Sequence, residues 1–409
     1  MLAVRVPAAP ALETFAALRV PNFRRYISGQ AVSLVGTWME TVAQALLVLR
    51  LNHSGTVLGL MTAARFAPAL LLSPYGGLLA DRYLKRRLLV GTQVGLALVS
   101  LVLGLLVVSG AVRLWQVAVL AMLFGVLSAV DNPTRLAFVG EMVDPQRLRN
   151  AVTLISMMVN VARAIGPAIA GVLVVTVGIG ACFLVNAVSF AAVVVALWTL
   201  DAGQLHPSTR TGRARGQLRE ALAYVRDRPA ILAPLLMMTL IGTFTYEFEV
   251  TLPLVARDGF HGAPVAYSWL LAAFGCGAVV GGLYAAKRGG TGLRRLVGAA
   301  AAFGLATGAA ALAPSFGIEV ALLAVAGATS VIFLTTGNST VQLAAAPQFR
   351  GRVIALWSTA FVGSTPIGAP VVGAIAEHFG PRWSLGLGAA ACGAAVLVGL
   401  ALRRRERSA

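Results

Sequence analysis

The chain is short of charge, and shortest of acids, lysine, histidine and cysteine. Charged residues make up 12% of its 409 positions, with 15 Asp and Glu against 33 Lys and Arg. The two lysines, Lys85 and Lys287, follow Leu84 and Ala286. No Gly-Lys step therefore exists for a phosphate-cradling Gly-x-x-x-x-Gly-Lys loop, which excludes an ATP-driven mechanism within the chain. Of four histidines, His53, His261 and His378 are expected in outer loops and His206 in a central linker. None stands with carboxylates at a metal-ligand spacing, so the pattern supports neither a metal centre, an enzyme nor a bound cofactor. Cys182, Cys276 and Cys392 lie far apart inside apolar stretches and read as small core residues. The first twenty residues, which include Pro7, Pro10 and Glu13, lack the apolar core of a cleaved signal peptide.

What fills the chain instead is apolar: 58% of residues are hydrophobic. A sequence of that composition needs lipid over most of its surface. About twelve stretches, near residues 26–50, 56–80, 88–110, 114–139, 150–177, 181–200, 231–256, 265–286, 296–313, 318–343, 353–376 and 383–402, are each long enough to cross a bilayer core of roughly 30 Å. The expected class is an all-α polytopic membrane protein. Its expected parts are an N-terminal segment (1–25), a six-helix bundle (26–200), a linker (201–230), a second six-helix bundle (231–402) and a basic tail (403–409).

The net charge of +18 is large, but no basic run is interleaved with aromatics as a nucleic-acid groove requires. The cations follow the apolar stretches. With the N-terminus placed in the cytoplasm, Arg19, Arg24 and Arg25, Arg82–Arg87, Arg147 and Arg149, Arg210–Arg228, Lys287–Arg295, Arg350 and Arg352, and Arg403–Arg407 all fall on that side. Only Arg50, Arg113, Arg257 and Arg382 fall opposite. The positive-inside bias thus puts both termini in the cytoplasm.

The halves repeat one another. A shift of 206 sets Val35-Gly36-Thr37-Trp38 on Ile241-Gly242-Thr243-Phe244. A shift of 202 sets Pro145-Gln146 on Pro347-Gln348, Leu154 on Leu356, Ser156 on Ser358, Ile165-Gly166 on Ile367-Gly368 and Gly171 on Gly373. Two bundles of like topology place a working site at the midplane between them. Between them, Leu218–Arg226 alternates apolar and charged residues at helical spacing and predicts an interfacial helix.

Gly77-Leu78-Leu79-Ala80-Asp81-Arg82-Tyr83-Leu84-Lys85-Arg86-Arg87 packs five charges between two apolar stretches. It resembles the loop between the second and third helices of major facilitator superfamily transporters, with Leu84 where that pattern has Gly. The fifth stretch carries Gly166-Pro167 followed by Gly171, which resembles a segment of the drug/proton antiporter branch. Physically, the two glycines permit close helix approach and Pro167 bends the helix. Asn22-Phe23-Arg24-Arg25, Ser33–Met39 and Arg219–Arg226 before Pro229 resemble the branch that contains the enterobactin exporter and macrolide-efflux proteins. That resemblance spans about residues 18–400. It implies a prokaryotic inner-membrane protein that exports a small amphipathic drug or siderophore by proton antiport, working as a monomer in lipid.

Candidate working residues follow from the helical pattern. Ser33, Thr37, Glu40 and Gln44 form a polar stripe on the first helix, and Thr239, Thr243 and Tyr246, beside Glu247, form its counterpart. Such stripes line a cavity, or else each hydroxyl bonds its own helix backbone. Trp38, Phe244, Tyr246, Phe248, Trp357 and Phe361 suit either a cavity that accepts rings or helix packing. An ionisable side chain near the bilayer centre is costly unless paired or wet, which makes Glu40 and then Glu247 the candidate proton sites. Glu40 and Arg65 lie at similar depth on adjacent helices and are expected to pair. Asp131, Arg135 and Arg163 are expected to form a second charged group nearer the cytoplasm, as a gate or structural network, with Asp131 a further proton candidate. Glu247 and Glu249 point to different faces, one toward the cavity. Gly77, Asp81, Arg82 and Arg86 form the expected cytoplasmic gate, with Asp81 facing the N-terminus of the eleventh helix near Val353 when that side closes. Import or facilitated flux by the same architecture, or a non-transporting sensor, are the alternatives to export.

The orientation is directly testable. A single cysteine at Ser208, in a background without the native cysteines, should be silent to an impermeant thiol reagent in intact cells and react once they are permeabilised. Labelling in intact cells would invert the topology.

Overall fold

The computed structural model describes residues 15–206, 217–259 and 264–408. Ser208, Arg210, His261 and the first fourteen residues of the expected N-terminal segment lie outside them. Fifteen α-helices are present among the described residues. They are α1 (Pro21–Leu51), α2 (Gly55–Arg82), α3 (Lys85–Val108), α4 (Leu114–Met142), α5 (Pro145–Thr176) and α6 (Ile179–Trp198), then the linker helix α7 (Gln217–Arg226). The second half holds α8 (Pro229–Phe244), α9 (Phe248–Leu254), α10 (Pro264–Arg288), α11 (Leu293–Ala311), α12 (Phe316–Ala344), α13 (Arg350–Val362), α14 (Thr365–Phe379) and α15 (Pro381–Ser408). Helix is the expected form, because within lipid each backbone N–H and C=O must be satisfied inside its own segment. Among the described residues eleven spans are long and apolar enough to cross a membrane, and the nineteen-residue α11 lies outside that set.

Two spans expected to be continuous are broken. The 231–256 stretch runs as α8, a break at Thr245–Glu247, and α9, followed by a π turn over Val255–Gly259. The 353–376 stretch breaks at Gly363 and Ser364 between α13 and α14, where Pro366 near the start of α14 has no N–H to carry the helix on. Leu84, by contrast, needs no glycine. It caps α3 at φ −62° and ψ 112°, an ordinary extended conformation.

The six-helix plan occurs twice. In the first half α2 packs on α4, α3 on α4 and α6, and α1 on α6; in the second half α10 packs on α12, α11 on α12 and α15, and α8 on α15. The halves meet through two matching pairs, α2 against α14 and α5 against α10. Glycine sets these approaches. A Cβ on Gly59 would lie 2.2 Å from the Ala369 carbonyl oxygen, and one on Gly373 would lie 2.2 Å from that of Gly55. Gly171 faces Ser268 and Gly275 faces the Ala164 backbone in the same manner.

These close approaches lie from mid-helix toward the end away from loop 83–84. Polar contacts fasten that far end. Glu377 at the end of α14 accepts hydrogen bonds from Ser54 Oγ at 2.6 Å and Thr56 N at 2.9 Å, and Arg257 donates to the His53 carbonyl at 2.8 Å. At the basic end Asp81 and Arg82 are exposed, and α13 scarcely touches α2. The linker has a mooring on each half. Asn22 and Asp201 exchange two hydrogen bonds, and His206 N donates to the Glu141 carbonyl. On α7, Ala221 and Val225 are buried. Tyr224 stacks on Phe349 at 4.0 Å and its hydroxyl accepts from Ala346 N, while Glu220 pairs with Arg352 at 2.6 Å. The apolar face of α7 is therefore covered by the second half.

Closure of the far end should depend on the glycine contact. Cysteines replacing Ser54 and Glu377 should cross-link readily under mild oxidation, and adding Gly59→Leu should largely abolish the cross-link. Unchanged cross-linking would show that the glycine approach does not set the closure.

Candidate functional site

A small cavity of about 20 Å³ lies between the halves, lined among others by Thr41 and Gln44 of α1, Thr62 and Arg65 of α2, and Glu249 of α9. That is space for about one water. Arg65 donates to Gln44 Oε1 at 2.8 Å, and its guanidinium lies 4.3 Å from the centre of the Phe124 ring. Arg163 of α5 lies 4.8 Å from the Trp38 ring centre, and its Nε is buried without a hydrogen-bond partner. Arg65 shares this cavity with Glu249, and Arg163, on α5, belongs to the same interface between the halves. Neither forms an ion pair with Glu249, although direct pairs occur elsewhere, as at Lys85–Glu141. An acid of the second half thus shares a cavity with a guanidinium of the first, unbridged, with a second guanidinium in the same interface. Charges so placed can bind an ion, a proton or a polar group of a cargo.

The expected Glu40–Arg65 pair does not form. Glu40 is 2% exposed and accepts from Ser100 Oγ and Asn186 Nδ2, each at 2.5 Å, inside the first half. Equal depth on neighbouring helices fixes height but not direction. The cavity-facing residues Thr41, Gln44, Ala45 and Val48 centre roughly a quarter-turn around α1 from Glu40. Of the stripe Ser33, Thr37, Glu40 and Gln44, Gln44 alone lines this cavity. Thr37, Thr239 and Thr243 each bond the carbonyl four residues back, which is the backbone-bonding alternative.

Glu247 stands at the α8–α9 break, 2% exposed, with Oε1 unpartnered beside Gly368 and Thr365. Tyr246 donates to the Ser330 carbonyl at 2.9 Å and packs edge-on against Phe361. Trp357 does not line this cavity. It is 4% exposed and fills the space over Gly337 beside Phe333 in the second bundle. Trp38 serves as the platform for Arg163, and Gly166 lets α5 approach it, since a Cβ there would meet the Trp38 Cβ at 2.6 Å. Pro167 is buried beside it.

The second charged group is smaller than expected. Asp131 is fully buried, pairs with Arg135, and accepts from Thr92 at 2.7 Å and Gln93 at 2.9 Å, whereas Arg163 belongs to the interface instead. At the basic end Arg86 donates to the Trp198 carbonyl at 3.0 Å, and Gly77 is half-buried. The close approach there belongs to its neighbour Gly76, which abuts the Ala129 carbonyl. Thr41, Thr62 and the cavity-facing choice of Glu249 over Glu247 escaped the sequence reading. The break that turns the two glutamates apart carries neither Gly nor Pro.

Two like bundles enclosing a polar site where the chain breaks define a transporter rather than an enzyme. Residues 12–409 match the transmembrane secretion effector family, and the chain belongs to that family of major facilitator transporters. The staphyloferrin A transporter of Staphylococcus aureus is 34% identical over 166 residues, a match covering 40% of this chain and 42% of that one. The enterobactin exporter EntS of Citrobacter koseri is 26% identical over 88% of this chain and 86% of its own. Among solved structures, a bacterial homologue of the human lysosomal transporter Spinster, inward-facing and unoccupied, superposes with a TM-score of 0.72 at 14% identity, covering 97% of this chain and 98% of that one. The fold is shared with it.

Removing the Glu40 carboxylate should act on stability. Glu40→Ala leaves the Asn186 amide and the Ser100 hydroxyl without their acceptor and should cost about 1–3 kcal/mol. It should be read as a lowered melting temperature of purified protein, with Glu40→Gln milder. An unchanged melting temperature for the Ala variant would mean that the network contributes nothing.

Proposed function

We propose that the protein exports a small amphipathic molecule, drug-like or siderophore-like, by proton antiport and alternating access from the prokaryotic inner membrane. In this reading the basic end and both termini are cytoplasmic, and the protein works as a monomer. The observation that carries it is that Glu249 of the second half and Arg65 of the first line one cavity between the halves without an ion pair. Protonation of Glu249 would withdraw a negative charge from the cavity it shares with the Arg65 guanidinium and so change what the interface can bind. Substrate and proton would then exclude one another, which is the requirement for antiport. The glycine-set contacts at the far end support a rocking motion, because they are short-range and separable. Export is favoured over import by the exporting relative. Glu247 is retained as a second proton site, and Glu40 takes a supporting place in the first bundle.

The test uses inverted membrane vesicles with a respiration-generated pH gradient and a dye that reports it. A panel of drugs and siderophores added to wild-type vesicles should include one that dissipates the gradient. Glu249→Gln should abolish that response while keeping a thermal shift with the same compound, and Glu40→Gln should keep both. Full gradient dissipation by Glu249→Gln would remove Glu249 from the coupling role, and Glu247→Gln would then be the variant to lose it.

A further inference from the structure

A second and larger cavity, about 380 Å³, lies far from the midplane at the basic end of the second half. It occupies the wedge between the end of α10 and the start of α11, two helices that both pack on α12 but barely touch each other. Its volume falls within the range of small-molecule sites and equals roughly a dozen waters at about 30 Å³ each. Arg288 and Arg295 line it, with Thr335, Thr336 and Ser339 of α12 supplying hydroxyls.

The backbone is shaped around these guanidiniums. Gly290 has no side chain where Arg295 lies: a Cβ there would coincide with the guanidinium, at 1.4 Å from Nη1. Arg295 Nη1 donates to the Gly289 carbonyl at 2.7 Å, and Arg288 Nη1 donates to the Tyr284 hydroxyl at 3.1 Å. Each arginine keeps most of its five N–H donors uncommitted to protein. Neither has a carboxylate partner, and the sequence holds no Asp or Glu between Asp258 and Glu319.

The matching region of the first half is built differently. There the basic loop lies among acids: Asp81 is part of it, Lys85 pairs with Glu141, and Arg135 pairs with Asp131 on α4. The second half keeps the cations of the repeat and drops the acids. Two uncompensated guanidiniums beside hydroxyls fit a phosphate anion, which accepts from an arginine fork in bidentate fashion. Above the cavity along α10, Val280 and Leu283 are exposed and apolar, with the amphipathic Tyr284 at the level where a headgroup meets acyl chains.

We propose that this wedge is a binding site for the phosphodiester headgroup of an anionic phospholipid from the leaflet at the basic end, held by Arg288 and Arg295, with acyl chains lying along α10. Basic pockets between membrane helices recognise such headgroups, and each cation near the surface adds about 1 kcal/mol, or about fivefold. The proposal stands apart from the transport reading, since none of the midplane residues lines this cavity.

Native mass spectrometry of the full-length protein in detergent, titrated with phosphatidylglycerol or phosphatidylcholine of the same chains, tests it. Wild-type protein should retain phosphatidylglycerol at least about fivefold better than phosphatidylcholine. The preference should vanish in Arg288→Gln/Arg295→Gln and survive in Lys287→Gln/Arg294→Gln, which removes the same charge from exposed positions outside the cavity. If the first double variant fails to fold, Ser339→Phe, which fills the cavity and leaves every charge, should abolish the preference. Equal loss in both double variants, or retention by Ser339→Phe, would reduce the effect to diffuse surface charge and overturn the site. Displacement of the lipid by millimolar inorganic phosphate would make the ligand a soluble anion and overturn the lipid assignment.

Discussion

A charge inside a bilayer must be paired, hydrogen-bonded or wet, and that single constraint organises this molecule. Most of its few buried ionisable groups obey it within one bundle: Glu40 through Ser100 and Asn186, Asp131 through Arg135, Thr92 and Gln93. Others keep unpartnered atoms, Glu319 and Arg163 among them. Glu249, Arg65 and Arg163 stand at the meeting of the halves without bridging, and Glu247 sits at a helix break with a free oxygen. The interface is then a part of the interior whose electrostatics can change with what enters it.

Much of the fold was legible in the sequence, because lipid enforces length and composition on every crossing segment. The apolar stretches follow from what a bilayer imposes on a crossing segment, whereas the two-half repeat and the linker helix were read from matching residues and from helical spacing of charge. The Gly363-Ser364-Thr365-Pro366 run carried a readable break signal, whereas Phe244–Glu247 carried none. Side-chain direction was the weak link. Glu40 and Arg65 share a depth, but a residue's azimuth on a straight helix depends on which neighbours pack against it, and Asn186 lies 146 positions further along the chain. Trp357 failed for the same reason, since its place over Gly337 is set by a neighbouring helix.

The two bundles share a plan and divide the labour. Contacts that hold the far end shut are supplied by glycines and by one exposed carboxylate, Glu377, which meets the first turn of α2. The basic end is dressed differently in each half: Lys85 and Arg135 of the first are paired with acids, whereas Arg288 and Arg295 of the second are not. Symmetry in helix packing therefore coexists with asymmetry in charge, and the asymmetry separates the two basic surfaces in what they can attract.

The linker's moorings carry a mechanical consequence. Asp201 and His206 are tied to the first bundle, while Tyr224 and Glu220 are tied to the second at the connection between α12 and the broken helix α13. Each bundle thus carries its own end of the tether, and the halves can tilt relative to one another without breaking either attachment. The stacked Tyr224–Phe349 pair acts as a hitch at the start of α13, the full length of that helix away from the break at Gly363, so a pull on the linker is delivered to the first segment of a span divided in two.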